Sequence, residues 1–318
     1  MPATPERPIA LFHEHPDWFR PLFAELERRG TPYVRIAAGE HGYDPGTVPP
    51  YSLVLNRMSP SAYLRGAGNA IFYAGSWLDW VERAGVRVVN GTAAYGVEIS
   101  KAVQLNLLQS LGLPHPKTRV VNHPSQVPAA AGGLRFPVAV KPNIGGSGAG
   151  VRRFDTAEAL EAAARDGLEL GLDSVGLVQE FVPAQDGRIV RVEVLGGKFL
   201  YGIRIYTSGD TFDLCPADVC QRVDGAELER LACPADAPKN RLRVEGYTPP
   251  DEIVTQVERI MAEARIDVGG VEYFVDARDG KHYFYDINAL SNFVADAPRV
   301  VGFDPFARLA DYLIAEAG

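Results

Sequence analysis

The segment from Phe136 to Val151 constrains the fold more than any other, because it joins an apolar run, a lysine and a glycine-rich loop. The apolar run predicts a strand, and Lys141 lies where that strand gives way to the loop. Four of the six residues from 145 to 150 are glycine. Such backbone brings several N–H groups against phosphate oxygens while a lysine balances their charge. The segment therefore predicts phosphate binding, with a flexible hairpin loop and a solvated lysine as the alternative.

The loop differs from two familiar nucleotide motifs. In a Walker loop the lysine follows the last glycine, whereas Lys141 precedes the glycines. Gly146, Gly148 and Gly150 give the spacing G-x-G-x-G, which is not the dinucleotide fingerprint, and the loop does not open directly onto an apolar helix. The loop alone therefore leaves the class of nucleotide-binding protein open.

Length and composition limit the kind of partner. A chain of 318 residues with 46% hydrophobic content can bury a large core in two or three structural units. The net charge of -8 argues against a nucleic-acid duplex and favours a small molecule as the partner. No segment resembles a signal peptide or a membrane span, so we expect a cytoplasmic protein without a membrane partner, and a homodimer is left open. The cysteines are expected to be reduced thiols without metal; they are Cys215, Cys220 and Cys233.

The first 95 residues predict a parallel α/β domain. Strands are expected at 8–13, 33–36, 52–58 and 86–90, with helical segments at 18–29 and 61–84 between them. Ligands of parallel sheets bind beyond the carboxyl ends of the strands. We expect Arg57 to hold a substrate carboxylate there, and the two histidines to bind a second polar group or to be ordinary loop histidines. The candidate residues at these strand ends are His13, His15, Asn56 and Arg57.

One helix is predicted from Gly96 to Leu111, with Lys101 in its first turns. A cation gains nothing from the helix dipole there, so Lys101 is either solvated or directed at an anion that shares the site. A later strand, from Gly176 to Val182, ends in the sequence Gln-Glu-Phe-Val. Its backbone beside an apolar surface would suit the edge and face of an adenine, although the same sequence is also typical of a plain strand.

The C-terminal part changes to antiparallel hairpins. Arg191 lies in an alternating strand, and the Gly196-Gly197 turn leads to a second strand that carries Arg204. The region from 207 to 250 is polar and weakly patterned. A helix with an apolar face then follows at 252–265.

The last hairpin brings polar side chains to one face. Asp286 and Asn288 are two residues apart and therefore share one face of their strand. A three-residue turn that ends at a left-handed Gly280 would place Glu272 opposite Asp286, whereas a two-residue turn would place it opposite Ile287. We predict the three-residue turn. Two carboxylates and an amide oxygen on one face would suit Mg²⁺, or Mn²⁺ in its place.

Taken in order, these features resemble the ATP-grasp superfamily, and within it the RimK and glutathione-synthetase-like carboxylate–amine ligases. The resemblance covers roughly residues 95 to 295, and the first domain matches more loosely. It implies an α/β fold with an N-terminal Rossmann-like domain at 1–95, a small central lid subdomain at 96–182, and a mainly antiparallel C-terminal subdomain with the magnesium site at 183–318.

The resemblance also implies roles for single residues. Arg191 and Arg204 would bind phosphate and the acyl-phosphate intermediate, and Asp186 would replace the ribose-binding acid of related enzymes. Magnesium would be held by Glu272, Asp286 and Asn288. Substrate would also meet Ser291 and Asn292, where related enzymes have a Pro-Gly turn. The implied ATP contacts are Lys101, Lys141, Gly145, Gly146, Ser147, Gly148, Gln179, Glu180, Phe181 and Val182.

The implied reaction is amide-bond formation between a small carboxylate and an amine, on amino acids or small peptides, with ATP and Mg²⁺. ATP activates the carboxylate as an acyl phosphate, which the amine then attacks. Two alternatives remain open at this point. The protein could be a kinase of the same fold that phosphorylates a hydroxyl, or a nucleotide-binding regulator without turnover.

Overall fold

The computed structural model describes residues 6–146, 148–206 and 243–318; Ser147 and the three cysteines lie outside these ranges. The strands are β1 (Ile9–His13), β2 (Tyr33–Ala37), β3 (Leu53–Arg57), β4 (Arg87–Val89), β5 (Thr118–Val121), β6 (Val138–Pro142), β7 (Arg152–Phe154), β8 (Gly176–Glu180), β9 (Arg188–Leu195), β10 (Lys198–Tyr206), β11 (Val244–Tyr247), β12 (Val268–Val275) and β13 (His282–Asn288). The α-helices are α1 (Arg20–Arg28), α2 (Gly68–Arg83), α3 (Thr92–Glu98), α4 (Lys101–Ser110), α5 (Val127–Ala130), α6 (Ala157–Arg165), α7 (Asp251–Ala264), α8 (Ala297–Val301) and α9 (Pro305–Ala317). Within the described ranges, no helix has the length and apolar character needed to cross a membrane.

The N-terminal sheet is parallel throughout, in the order β2-β1-β3-β4, as the alternating strands and helices predict. Strands β1 and β3 are buried on both faces, which is why their sequences are continuous apolar runs. On one face, Trp77 of α2 stacks on Phe12 with ring centroids 4.2 Å apart. On the other face, α1 packs with α9 from the end of the chain.

Two further sheets complete the fold, both antiparallel. The central sheet has the order β5-β8-β6-β7, and α5 and α6 cover its apolar face. The C-terminal sheet has the order β11-β10-β9-β12-β13. One face of this last sheet shares a core with β1, β3, α1 and α9, and its other face packs on α3, α4 and α7. The predicted domain boundaries, at 95/96 and 182/183, stay predictions.

The single helix predicted from residue 96 to 111 is wrong, because the chain breaks between α3 and α4. Ser100 has an extended backbone, with φ -144° and ψ 105°, and its hydroxyl accepts a hydrogen bond from the Val103 N–H at 3.3 Å. This is an N-cap, which starts a new helix. Lys101 is therefore the first residue of α4 and not part of a continuous helix.

The last hairpin has the predicted pairing but not the predicted turn. Glu272 pairs with Asp286, and Gly280 has a left-handed φ of 74°. However, the Asp276 N–H donates to the Lys281 carbonyl, so the turn has four residues, from 277 to 280. A β-bulge at Tyr285 then inserts one extra residue into β13 and restores the predicted pairing. The two departures cancel, and Asp286 faces the same side as Glu272.

Asn90 joins the N-terminal domain to the C-terminal sheet. Its φ of 57° is left-handed, a conformation that asparagine tolerates better than most residues. The side-chain amide donates to the carbonyls of Val268, at 2.7 Å, and Ala289, and its oxygen accepts from the N–H groups of Asp267 and Val268 at 3.0 and 3.2 Å. One buried side chain thus satisfies backbone groups at the start of β12 and just after the end of β13, so it joins these two strands where the hairpin begins and ends.

Replacing Asn90 with alanine should destabilise the protein, because it leaves these buried backbone groups without partners. We expect the free energy of unfolding to fall by about 3 kcal/mol, measured by urea denaturation. The matched control is Asn106→Ala on the exposed side of α4, which should change the same quantity by less than about 0.5 kcal/mol. Equal effects of the two substitutions would contradict the bridging role.

Candidate active site

One cavity lies where the central and C-terminal sheets face each other, and the N-terminal domain closes one side of it. Of the residues predicted from the sequence, the cavity is lined by Lys101, Lys141, Gly145, Gly146, Gly148, Gln179, Glu180, Phe181, Val182, Arg191, Glu272, Asp286, Asn288 and Asn292. Its wall also includes Ser59, which follows Asn56 and Arg57 at the end of β3 as the sequence pattern indicates. Further residues of the wall, which the motifs do not indicate, are Trp18, Ser61, Glu98, Gln104, Phe274 and Tyr285. The nucleotide, metal and substrate roles of these residues stay predictions at this point.

Lys101 is paired within the cavity. Its ammonium donates to an oxygen of Asp286 at 2.6 Å. Burial acts to lower the pKa of Lys101, but the facing Asp286 carboxylate outweighs it, so the pKa is raised above its usual value. Burial likewise acts to raise the pKa of Asp286, and Lys101 outweighs it and lowers that pKa. Both groups are therefore charged at neutral pH.

Lys141 is in the opposite situation. Among the residues that the structure describes, no carboxylate lies within ion-pairing distance of its ammonium. Burial first, and then Lys101, lower the pKa of Lys141 to about 7, and the more distant Asp286 only partly opposes them. A group of this kind gains its full charge when an anion enters the cavity.

Asn143 connects the two lysines, and its role was not apparent from the sequence. Its side-chain oxygen accepts hydrogen bonds from the Ala102 N–H at 2.9 Å and the Ser100 hydroxyl at 3.0 Å, and its carbonyl accepts from the Lys101 N–H at 3.2 Å. Asn143 lies two residues after Lys141. The start of α4 is thereby attached to the strand that carries Lys141, which holds both ammonium groups on one side of the cavity.

Arg191 lies between two buried carboxylates. Its guanidinium donates to Glu193 at 2.5 Å and to Glu272 at 3.0 Å, and all three residues are at least 95% buried. The guanidinium packs directly over Gly270, where a Cβ atom would lie 2.8 to 3.0 Å from its nearest atoms. Position 270 therefore has to be glycine for Arg191 to lie in this place.

The face made by Glu272, Asp286 and Asn288 fits a hard divalent cation. The Asn288 side chain contacts Asp286 at 3.2 Å, and Glu272 pairs with Asp286 across the hairpin. Burial raises the pKa of Glu272, against the effect of Arg191. In the described part of the chain, no three His, Cys, Asp or Glu side chains form a metal site by themselves. Two carboxylates and an amide leave positions for phosphate oxygens and water, which is the usual pattern for Mg²⁺.

The end of β8 forms the wall predicted for adenine. The Gln179 amide donates to the Thr118 hydroxyl at 2.8 Å, and the Glu180 carboxylate accepts from the Arg135 N–H at 2.9 Å. Arg153 lies over the Phe181 ring, 4.7 Å from its centre. Phe274 and Tyr285 also line this cavity, with ring centroids 5.5 Å apart. An apolar slot beside polar groups at the strand end is therefore present.

Several predicted substrate residues do not line the cavity. The His13 ring is buried between Phe19 and Phe23; burial first, and then Arg35, lowers its pKa to about 4, so it is neutral. His15 stacks on Trp18 with ring centroids 4.8 Å apart. Trp18 itself lines the cavity, so His15 supports the wall from behind.

Asn56, Arg57 and Ser291 are also buried behind the wall. Asn56 donates to the Asn90 carbonyl at 3.2 Å and accepts from the Met58 N–H at 3.0 Å. Arg57 donates to the Ser291 carbonyl and to the Asn292 side chain, and it lies over the Phe19 ring. Arg57 is only 2% exposed and so fixes the 291–292 segment rather than meeting a substrate carboxylate.

Two predicted ligand residues lie away from the cavity. Arg191 pairs with Ile203 across β9 and β10, so the adjacent Arg204 points to the opposite face of the sheet. There Arg204 lies over the Tyr247 ring, 3.7 Å from its centre, and 3.7 Å from Glu245. Asp186 is exposed in a tight turn, 3.4 Å from Arg188. The structure brings neither residue to the cavity, which argues against the catalytic role predicted for Arg204 and the ribose contact predicted for Asp186.

Comparisons with known proteins agree on the type of protein that this chain resembles, although no protein-family model matches it. The chain is similar to D-alanine–D-alanine ligase A of Bradyrhizobium diazoefficiens, with 27% identity over 229 residues that cover 65% of this chain and 54% of the relative. It is also similar to a probable alpha-L-glutamate ligase of Shewanella frigidimarina, with 29% identity over 168 residues that cover 47% of this chain and 54% of the relative. The chain spans about half the length of the curated relatives it matches.

Solved structures match nearly the whole chain. The ATP-grasp ligase PsnB in complex with a minimal precursor has a TM-score of 0.67 at 20% identity, covering 98% of this chain and 100% of that one. A RimK domain ATP-grasp protein from Sphaerobacter thermophilus has a TM-score of 0.66 at 19% identity, covering 96% of this chain and 99% of that one. The chain therefore has the ATP-grasp fold, and the fold that the sequence resemblance implies is confirmed.

Replacing Gly270 with alanine tests the packing of Arg191. The new methyl group would displace the guanidinium from the two carboxylates, and we expect the free energy of unfolding to fall by about 2 kcal/mol. Gly75→Ala on α2 is the control, because nothing lies within 4 Å of the added atom. Urea denaturation measures the free energy of unfolding of both variants. An unchanged value for Gly270→Ala would show that the Arg191 guanidinium can move without loss of stability.

Proposed function

We propose that the protein is an ATP-dependent carboxylate–amine ligase that forms an amide bond through an acyl phosphate. One observation carries this proposal: two lysines and a partly buried face of two carboxylates and an asparagine line the same cavity in an ATP-grasp fold. The Lys141 ammonium on the central sheet, unpaired among the described residues, and the hard oxygen ligands on the C-terminal sheet suit a metal-bound polyphosphate between them, with Lys101 beside Asp286. The slot at the end of β8 would then take the adenine.

In the first step, an oxygen of the substrate carboxylate attacks the γ-phosphorus of ATP. The bond from that phosphorus to the bridging oxygen breaks, and ADP leaves with the electron pair. Lys101 and Lys141 lie where they would balance the negative charge of the phosphates, and Arg191 lies beside them. Glu272, Asp286 and Asn288 would hold Mg²⁺, which neutralises phosphate charge when it is bound. Mn²⁺ stays the predicted substitute.

In the second step, the amine nitrogen attacks the carbonyl carbon of the acyl phosphate. The carbon–oxygen bond to phosphate breaks, inorganic phosphate leaves, and the nitrogen loses a proton. Water has to be excluded, because it would hydrolyse the acyl phosphate. Gly145, Gly146 and Gly148 line the cavity, so the glycine loop lies where it would keep water from the acyl phosphate. A Cβ atom at Gly145 would be 3.4 Å from the Tyr63 hydroxyl, and one at Gly146 would be 3.5 Å from Ser61.

The relatives support the reaction class, since their names describe ligases of D-alanine and of L-glutamate. We therefore propose amino acids or small peptides as substrates. A reaction that consumes ATP is consistent with the predicted cytoplasmic location, and homodimerisation stays a prediction. Neither the relatives nor the structural neighbours favour the kinase alternative, because the two relatives and PsnB are named as ligases and none of the proteins compared above is named as a kinase.

Trapping with hydroxylamine separates the proposal from its alternatives. We expect phosphate release from ATP to require a carboxylate, in a screen of amino acids and short peptides, and hydroxylamine to convert the activated carboxylate to a hydroxamate identified by mass. Phosphoryl transfer to a hydroxyl without any hydroxamate would indicate the kinase. A folded protein that binds ATP but turns over nothing in the screen would indicate the regulator.

Lys141 should take up a proton when a nucleotide binds. Its lowered pKa, about 7, means that the free protein holds it mostly neutral at pH 7.5, and bound phosphate raises the pKa again. We expect calorimetry of ADP binding in buffers of different ionisation enthalpy to show uptake of more than about half a proton at pH 7.5, falling toward zero at pH 6. Lys141→Arg, whose charge is permanent, is the control without uptake. Equal proton uptake by the parent protein and by Lys141→Arg would show that a group other than Lys141 takes up the proton.

A further inference from the structure

Gln104 contacts the cation-binding strand in an unusual way. It is 3% exposed, one turn after Lys101 on α4. Its side-chain oxygen accepts from the Ile287 N–H at 3.1 Å, and its nitrogen donates to the Ile287 carbonyl at 2.8 Å and to the Val97 carbonyl at 3.0 Å. A carboxamide has the same donor and acceptor as a peptide unit. Gln104 therefore pairs with Ile287 as a residue of a neighbouring strand would.

This pairing matters because β13 is an edge strand. Among the strands that the structure describes, only β12 lies beside it in the C-terminal sheet, so its outer backbone groups need other partners. The segment after α4 and α4 itself supply them: the Pro114 carbonyl accepts from the Phe284 N–H at 2.9 Å, and the Gln104 side chain pairs with the backbone of Ile287. Ile287 lies between Asp286 and Asn288, whose side chains point to the other face. Rotation of the strand at Ile287 would displace both.

Gln104 also depends on the β-bulge. In a regular strand, the N–H groups that face outward are two residues apart. In β13 the outward N–H groups are those of Phe284 and Ile287, three residues apart, because the bulge inserts Tyr285 between them. Without the bulge, Asp286 would face the core between the sheet and α7 instead of the cavity. The Gln104 contact is therefore compatible only with the register that directs Asp286 to Glu272.

We propose that Gln104 is a positioning residue that holds the bulged register of β13 and thereby the cation-binding face of Glu272, Asp286 and Asn288. This inference rests on the proposed function, since it assigns a role at the same site. Gln104 acts through the backbone, because its side-chain oxygen and nitrogen are both bonded to backbone groups of Ile287 and Val97. Partners of this indirect kind typically contribute 10-fold to 100-fold to metal affinity.

The test compares Gln104→Leu, which keeps the volume but loses all three side-chain hydrogen bonds, with Gln109→Leu on the exposed side of the same helix. Free Mn²⁺ is measured by its electron paramagnetic resonance signal during titration in the presence of ADP. We expect the Kd for Mn²⁺ to rise about 10-fold or more in Gln104→Leu and to stay within about twofold in Gln109→Leu. ADP binding without metal, measured by calorimetry, should be unchanged in both.

Gln104→Glu is a second variant that keeps the acceptor for the Ile287 N–H but loses the donor. We expect it to fold and to give an intermediate Kd for Mn²⁺. Unchanged Mn²⁺ affinity in both Gln104 variants would overturn the inference. An equal loss of metal-free ADP binding and Mn²⁺ binding would also overturn it, because a general structural role predicts that result. If the parent protein with ADP bound no Mn²⁺, the proposed function itself would fail.

Discussion

The first turn of α4 is the point at which the parts of this protein meet around one cavity. Asn143 binds the start of the helix to the strand that carries Lys141, and Lys101 forms an ion pair with Asp286 on the opposite sheet. Gln104 continues the contact one turn later, at the backbone of Ile287. A displacement of this helix would therefore move the lysines and the carboxylates relative to each other. The geometry of the proposed phosphate and cation sites would change with it.

Charge is distributed unevenly around that helix. Lys101 and Arg191 already have carboxylate partners in the described structure, whereas Lys141 has none within ion-pairing distance there. Burial also raises the pKa of Glu98, which binds the Ala289 N–H at the end of the cation-binding strand, to about 7. The cavity thus contains groups whose charge is costly until a ligand arrives. A polyphosphate with its cation would supply the missing partners on both sides.

The sequence was most informative where local pattern and side-chain chemistry coincide. The parallel N-terminal sheet follows from alternating apolar runs and helices, and the shared face of Asp286 and Asn288 follows from the period of a strand. The pairing of Glu272 with Asp286 was also predicted, but its cause was not. The four-residue turn shifts the pairing of the two strands by one residue, and the bulge at Tyr285 shifts it back. The sequence of a hairpin does not distinguish a three-residue turn with regular strands from a four-residue turn followed by a bulge.

The amino-acid sequence by itself determined the order of the motifs, the class of fold and the residue types that we propose for phosphate and cation binding. Tertiary structure alone decided which of several similar polar residues reach the cavity. Arg57 and Arg204 look as suitable as Arg191 in the sequence, yet one is buried against Ser291 and the other lies on the opposite face of its sheet. Asn143 and Gln104 show no motif at all, because their partners are backbone groups of distant segments. Such contacts depend on how the sheets pack, and no local pattern encodes that packing.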